Sequence, residues 1–556
     1  MKTYINYIYK SAIVFILILV SISCNEEEWL DEKPLDFYSP ENSYLTPDDF
    51  NSAVARLYQG VDEALYTVNT NEGRAMHYPT DIAVDAINIT HQLNSYKDKL
   101  FPNTAEVGNM WRRLYRIVFN ANVVVQRIDD EIVEFNSEED RNALKAEAMF
   151  MRAFVYRTLG ILYGGVPIVL EEITSPKRDF TRNTREEVWD QCISDLDYAS
   201  KNLPDVTNLK EEGRVSKAAA YHLLAEVYII KQEWDNAIAA ATAVINNSNF
   251  SLMTERFGKR MDEPGDVYWD LFRRDNQNRS SGNMEGIWVN QYEYLVDGGG
   301  QSMGWPRFLA PLYWQLKDTD GTNLFIGPSN HNGGRGIGWY APTNYMKTEV
   351  WDDYDNDIRN SQYNIIRDIK ADNPESPYYG QYIVESGAID DFPNNLDRWW
   401  NMLFVKTIPI NNWPSDFILD AETGLTTNSA NYIETDDYIF RLSGTYLLRA
   451  EAYLGKGDQP NAADDINMVR ARANAAPVNP ADVDIDYILD ERARELCWEE
   501  VRLLTLMRMG KLVERVKKYN HVTQDNILDH QNIWPIPANE IETNTEAELK
   551  QNPGYF

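Results

Sequence analysis

Cysteine is scarce in this chain, with three in 556 residues. Disulfides therefore cannot hold the fold, and a hydrophobic core must. Cys192 and Cys497 fall in helical patterns and read as two buried thiols rather than a bridge. Histidine is also rare: the six are His77, His91, His222, His331, His521 and His530. No two stand four residues apart and no His-Glu-x-x-His occurs, so nothing points to a zinc-hydrolase helix, and no metal ligand set is assigned. Calcium fares no better. The run "DTDGTNLFIGP" from Asp318 is not a full EF-hand loop and reads as a turn. Positive charge is in deficit, with 53 Lys and Arg against 86 Asp and Glu and a net charge of −33. Such a surface repels nucleic acid, which is excluded as a partner. Long hydrophobic runs are missing too. Ile13 to Val20 is unbroken, but a bilayer-spanning helix needs about 20 residues.

That short run has a use of its own. Lys2 and Lys10 precede it, and Ser21 and Ser23 follow, just ahead of Cys24. This is the layout of a secretory signal peptide over residues 1–23. Cleavage before Cys24 leaves its thiol at the new N-terminus, where a lipid can be attached, and more than one acyl chain holds a protein stably on a membrane. Residues 24–45 carry Pro34 and Pro40 and no period, so they read as an extended leader.

From about residue 46 the pattern is helical. Thr46 and Pro47 open "TPDDFNSAVARLYQGVDEAL" as a cap and first-turn proline. "SEEDRNALKAEAMFMRAFVYRTLGILYGG" has apolar residues at three- and four-residue spacing and ends on two glycines. Thr184 and Glu187 form a capping box ahead of another helix. Residues 214–246 read as two helices around a short turn, with small residues where they cross, a tetratricopeptide-type hairpin. Residues 440–475 repeat the scheme. Tyr228 and Tyr453, Ala237 and Ala462, Val244 and Val469, and Glu226 and Glu451 are all offset by 225. A single repeat cannot bury its own apolar face, so residues 46–249 and 436–556 are expected to stack into one helical body. Trp111, Trp234 and Trp498 are expected to pack between helices, "DIDYILDERARELCWEEVRLLTLMRMG" to form one long helix, and the proline-stiffened C-terminal tail to lie flat on the surface.

The 250–435 segment between the repeats is different. Gly, Asn, Asp and Pro are frequent and helical period is weak, which predicts loops and short strands. Eight of the 15 tryptophans fall between 288 and 413. Aromatic rings on loops suit the apolar faces of sugars, with amides, carboxylates and arginines for the hydroxyls. Trp288, Trp305, Trp339, Trp399 and Trp400 are the candidate platforms, and Tyr292 and Tyr294 alternate with Glu293 in a predicted strand.

Several blocks name a family. "KAEAMFMRAFVYRTLGILYGGVPIV", "GRVSKAAAYHLLAEVYI", "YLLRAEAYLGKGDQPNAADDINMVRARA", "ILDERARELCWEEVRLLTLMRMGKL" and "IWPIPANEI…LKQNPGY", in that order, resemble the SusD/RagB-like outer-membrane lipoproteins of Bacteroidetes. "CNEEEWLDE" is similar to the acidic tract that follows the lipidated cysteine in that family. Leu504, where Asp is usual, and Ser21, where the lipobox has Leu, are departures. The resemblance implies an all-α fold of four tetratricopeptide-type hairpins with a loop-rich insertion containing short strands. It implies a non-enzymatic protein, without cofactor, lipid-anchored to the outer membrane through Cys24 and facing the cell exterior. Its partner would be a SusC-like TonB-dependent transporter, and its ligand an oligosaccharide or, in the RagB branch, a peptide. The family site also draws on a loop here reading "ITHQLNSYKDKLFPN", which offers Tyr96 and Phe101 as rings and Asn94 as a polar contact. The rival classes are a glycoside hydrolase, which needs a carboxylate pair that no motif here isolates, and a protein-binding adaptor, which would leave the aromatic insertion without a use.

Overall fold

The computed structural model describes residues 43–130, 133–300, 303–351 and 356–556. The signal peptide, Cys24 and nearly all of the leader lie outside the described residues. No helix among the described residues is long and apolar enough to cross a membrane.

The body is built from helices whose ends the local sequence marks. α1 (Pro47–Val61) starts on Thr46, whose hydroxyl accepts from the Asp49 N–H at 3.3 Å while Asp49 accepts from the Thr46 N–H at 2.9 Å. α2 (Ala105–Arg127) packs against α1. α3 (Glu138–Tyr163), capped by Ser137, is buried almost all round in its second half and touches α1, α2 and the next helix, so it is the central element. It stops at Gly164, whose φ of +77° suits glycine. α4 (Arg185–Asn202) begins with the expected box of Thr184 and Glu187.

α5 (Lys217–Ile230) and α6 (Trp234–Ile245) form one hairpin, and α7 (Leu442–Gly455) and α8 (Gln459–Arg472) the other. α6 packs directly on α7, so the two repeats meet despite the long stretch of chain between them. Ala237 and Ala462 are fully buried at the crossings. The paired glutamates have a shared purpose: Glu451 accepts from Arg508 at 2.7 Å, and Glu226 lies 3.5 Å from the same guanidinium while pairing with Arg157 at 2.6 Å. Trp111 is buried, whereas Trp234 is half-buried and covers Gly455, where an added Cβ would lie 2.7 Å from the indole.

Between 250 and 435 no helix of the described residues exceeds five residues. Short strands pair antiparallel: β1 (Ala83–Asp85) with β3 (Tyr340–Pro342), β2 (Gly286–Asn290) with β6 (Asp437–Arg441), and β4 (Ile365–Ile366) with β5 (Leu403–Phe404). β2 ends at Asn290, before Tyr292 and Tyr294, so the strand expected there is absent.

Two other expectations are corrected. The long C-terminal helix is broken into α9 (Ile485–Leu496) and α10 (Arg502–Arg508), followed by α11 (Leu512–Tyr519). At the break Trp498 takes φ of +62° and buries its ring against Trp305 and Phe404. The turn also swings Glu499 inward to Arg441, 2.6 Å away, which a continuous helix would not provide. The tail is not a surface strap either. Trp534 and Ile536 are fully buried, and the Trp534 N–H donates to the carbonyl of Leu162 at 2.7 Å. Cys192 and Cys497 are free and buried.

A buried ionic network joins these parts. Arg359 pairs with Asp357 at 2.6 Å, Glu491 at 2.8 Å and Glu495 at 3.1 Å, with all four side chains fully buried. Arg441 reaches Glu285, Glu495 and Glu499, and Arg472 reaches Glu285 and Glu495. Beside this lies a buried neutral base: His77, packed edge-on to Trp305 at 4.7 Å, is pushed down to about 3 by burial.

Arg359→Met should therefore cost about 3 to 5 kcal/mol, because it strands buried carboxylates. Lys456→Ala, which removes an exposed pair with Asp235, should barely move the urea midpoint. Equal midpoints for the two variants would refute the ranking. For His77 the folded value lies below the ordinary 6.5, so its stabilisation is present above that pH and lost as pH falls toward 3. Urea unfolding between pH 6.5 and 4.5 should thus fall off less steeply for His77→Phe than for the parent, the slopes differing by up to about 1.4 kcal/mol per pH unit. Parallel curves would contradict it.

Candidate functional site

The strand pair β1–β3 brings two distant segments to one place. Asp85 stands opposite Tyr340, and the Ala86 N–H donates to the carbonyl of Trp339 at 2.7 Å. Trp339 is thus fixed at the margin of the fold, half-buried. Its backbone approach depends on Gly338, which has φ of +58° and where an added Cβ would lie 2.1 Å from the carbonyl of Arg398. The loop after β1 returns beneath the ring, with the His91 imidazole edge-on at 5.9 Å. His91 is held by Asp85, Nδ1 to Oδ2 at 2.5 Å.

Asn94 shapes this loop from inside. Its side chain accepts from the Asp85 N–H at 3.2 Å and donates to the carbonyls of Asp85 and Asn88. It is fully buried, as is Tyr96, whose hydroxyl accepts from Trp534 Nε1 at 3.1 Å. Neither reaches solvent, so the expectation that they touch ligand is corrected: they position the loop that carries His91. Phe101, on the same loop, is exposed.

A short helix, Asn71–Ala75, capped by Thr70, supplies the other wall. Arg74 lies over the rings of Phe308 and Trp339 at 5.0 and 5.1 Å. Its guanidinium donates to the carbonyl of Val68 at 3.0 Å and to Asn71, and its Nε is buried without a partner. Phe308 sits 5.2 Å from Trp339 and 6.3 Å from Tyr432. Arg307 lies over Phe308 and Tyr432, at 5.8 and 5.4 Å. Beyond it Arg335 covers Trp314 at 5.5 Å, and burial together with Arg307 lowers its pKa. A half-buried indole, a tyrosine, an imidazole and the guanidiniums of Arg307 and Arg335 therefore border one surface, with Arg74 buried behind them. That set can stack on a ring and donate hydrogen bonds around it.

The other predicted platforms lie elsewhere. Trp288 is 2% exposed, enclosed by Tyr58, Phe150, Phe154 and Phe440. Trp305 is 1% exposed, among His77, Tyr340 and Trp498, and Trp400 is 5% exposed. These three are core residues and cannot offer a face to a ligand. Trp288 is closed in by rings from α1, α3 and β6, and Trp305 by rings from the turn at His77, from β3 and from the break after α9. Trp399 is half-buried and packs on Phe392 at 5.1 Å. Tyr292 is half-buried, and its hydroxyl donates to Asp62 at 2.6 Å. Burial raises that carboxyl to about 6, so Tyr292 serves an internal bond. Sequence reasoning missed Arg74, His91, Arg307 and Tyr432. Arg307 had a signal, a cation two residues after Trp305 in a Gly-rich loop, and His91 stood in the loop "ITHQLNSYKDKLFPN" already singled out; Arg74 and Tyr432 had none. Among the described residues no group of three His, Cys, Asp or Glu could hold a metal ion. Asp318 Oδ1 instead accepts from the Asp320 and Thr322 N–H groups, as a turn does.

Comparison with known proteins bears on this architecture. A family model described as "Starch-binding associating with outer membrane" matches residues 28–229, and the model of the SusD family matches residues 272–555. SusD-like protein P25 of Formosa agariphila is 26% identical over 583 residues, spanning 98% of this chain and 99% of that one. Among solved structures, a SusD homolog from Bacteroides thetaiotaomicron has a TM-score of 0.70 at 17% identity, covering 93% of this chain and 98% of that one. A laminarin-binding SusD-like protein has a TM-score of 0.66 at 21% identity, covering 91% and 99%. These last two share the fold. The SusD family match extends over more than half of the chain and takes in the repeat hairpin α7–α8, the broken C-terminal helix and both Trp339 and Tyr432, and the protein is therefore a member of the SusD family, a binding protein rather than an enzyme.

Proposed function

We propose that this protein captures oligosaccharides at the outer surface of the cell and passes them to a SusC-like TonB-dependent transporter in the outer membrane. The observation that carries the reading is the half-buried Trp339 indole, flanked by Arg74, His91 and Phe308, with Tyr432 beyond Phe308, on the family's scaffold. The laminarin-binding relative by fold and the family description that mentions starch support a glycan over a peptide. Peptide capture in the RagB manner is the second reading, since arginines and aromatic rings suit peptides as well. The helical body is read as four tetratricopeptide-type hairpins, α1–α2, α3–α4, α5–α6 and α7–α8. Cys24 is proposed as the lipidated residue, after cleavage of residues 1–23. The acidic leader, residues 24–45, then spaces the body from the bilayer.

Trp339→Ala should weaken glycan binding by about 1 to 3 kcal/mol, roughly 5- to 150-fold, and leave the fold intact. Trp305→Ala should instead lower stability by about 3 to 5 kcal/mol, because it empties a core site. Titration calorimetry against glycan and peptide panels, paired with urea unfolding, separates the two. Binding confined to peptides, or glycans that emerge shortened, would refute the reading. Mass spectrometry of the mature N-terminus should find a lipid-modified Cys24, and an unmodified terminus elsewhere would remove the anchor.

A further inference from the structure

We infer that the sugar bound at the Trp339 surface carries a negative charge, as a uronate or a sulfate ester. The inference rests on the proposed glycan reading of that surface and names the ligand class within it.

The ground is the pairing of arginines. Most buried arginines elsewhere in this chain meet carboxylates, as Arg152 does Asp195, Arg359 Asp357, Arg441 Glu499 and Arg502 Asp81; Arg273, bonded to the carbonyls of Trp269 and Val405, is an exception. With 86 acidic residues against 53 basic ones, partners are plentiful. Around Trp339 the pattern reverses. Arg74, Arg307, Arg335 and Arg398 gather there, and among the described residues none forms an ion pair with a carboxylate. Arg74 is satisfied only by Asn71 and a carbonyl, and Arg398 donates to the carbonyl of Ile337 at 3.2 Å. Arg307 and Arg335 make only ring contacts with their guanidiniums. The Nε atoms of Arg74 and Arg335 are buried donors without acceptors.

The nearby acids are committed. Asp85 holds His91 at 2.5 Å, and Asp397 holds Lys347 at 2.6 Å. Burial and, after it, the neighbouring Arg307 lower the pKa of Arg335. Grouping like charges costs stability unless an anion relieves it. A neutral hexose presents only hydroxyls, which asparagine or aspartate would bind without that repulsion. A carboxylate or sulfate accepts two parallel N–H bonds from a guanidinium fork, while the sugar ring lies on the indole.

The full-length protein in detergent should be titrated with polygalacturonate, with a sulfated galactan, and with the neutral counterpart of each: methyl-esterified pectin and the desulfated galactan. One charged polymer should bind at least about tenfold more tightly than its neutral form, with the advantage shrinking between 20 and 300 mM salt. Which charged polymer does so tells uronate from sulfate. The double variant Arg307→Gln with Arg335→Gln should bring the charged-to-neutral ratio close to one. Trp339→Ala should weaken both forms. Both arginines are half-exposed, and a thermal melt will show that the double variant is folded. Equal affinity for charged and neutral forms, with Trp339 still required, would overturn the charge assignment and leave the glycan reading standing. A charge preference that survives the double variant would also overturn it. If none of the four polymers binds, the charge assignment falls, and the glycan and peptide panels decide the wider reading separately.

Discussion

Glu491 and Glu495 stand one turn apart on α9, fully removed from water, and arginines from the insertion, β6, α8 and α9 itself converge on them. Glu491 takes Arg359 from the insertion, Arg470 from α8 and Arg494 from its own helix. Glu495 takes Arg359, Arg441 at the end of β6, and Arg472 at the end of α8. Burial alone would raise both carboxyls. The surrounding guanidiniums overcome it, hold Glu491 down at about 2 and push Glu495 lower still. A buried ion pair is poor at adding stability against a hydrophobic alternative, but losing one partner is severe. Such a cluster makes the assembly of repeat, insertion and C-terminal helices conditional on every part being in register.

A second clasp does the same for the two ends of the chain. Asp81, just before β1, accepts from Arg502 at 2.7 Å and Arg515 at 2.9 Å, and Arg515 continues to Asp490 at 2.6 Å. Burial opposes the charge on Asp81, yet the two arginines hold its carboxyl below the usual range. Because β1 is anchored there, its partner β3 is anchored too, and with it Trp339. The surface proposed to face the ligand is therefore set by ionic contacts several residues behind it, and Asp85 and Asn94 hold the loop with His91.

The aromatic abundance divides along the same line. Trp288, Trp305, Trp351, Trp400 and Trp413 are all buried in a region with no long helix. Helices elsewhere bury aliphatic stripes; here rings packed edge to face do that work. Where the chain reaches the margin, as at Trp339, Tyr432 and Trp399, an aromatic ring is partly left to solvent, and Tyr379 and Tyr382 are exposed.

The helical body was legible in the sequence because its signals are local. Thr46, Ser137 and Thr184 cap the helices they precede, Gly164 stops α3, and the 225-residue offset places two hairpins that do meet, down to two glutamates sharing Arg508. The family blocks were legible for the same reason. The break at Trp498 was not, since its helical period runs on through Glu499 and Glu500, and only Arg441, 58 positions earlier in the chain, shows why the turn is needed. The site was legible only in kind. Composition and loop chemistry pointed to rings on the insertion, but whether a ring ends in the core or at the surface depends on what packs over it. Trp305 and Trp339 sit in equally glycine-rich runs, and tertiary contacts alone send one to the interior beside His77 and leave the other open beside Arg74 and His91.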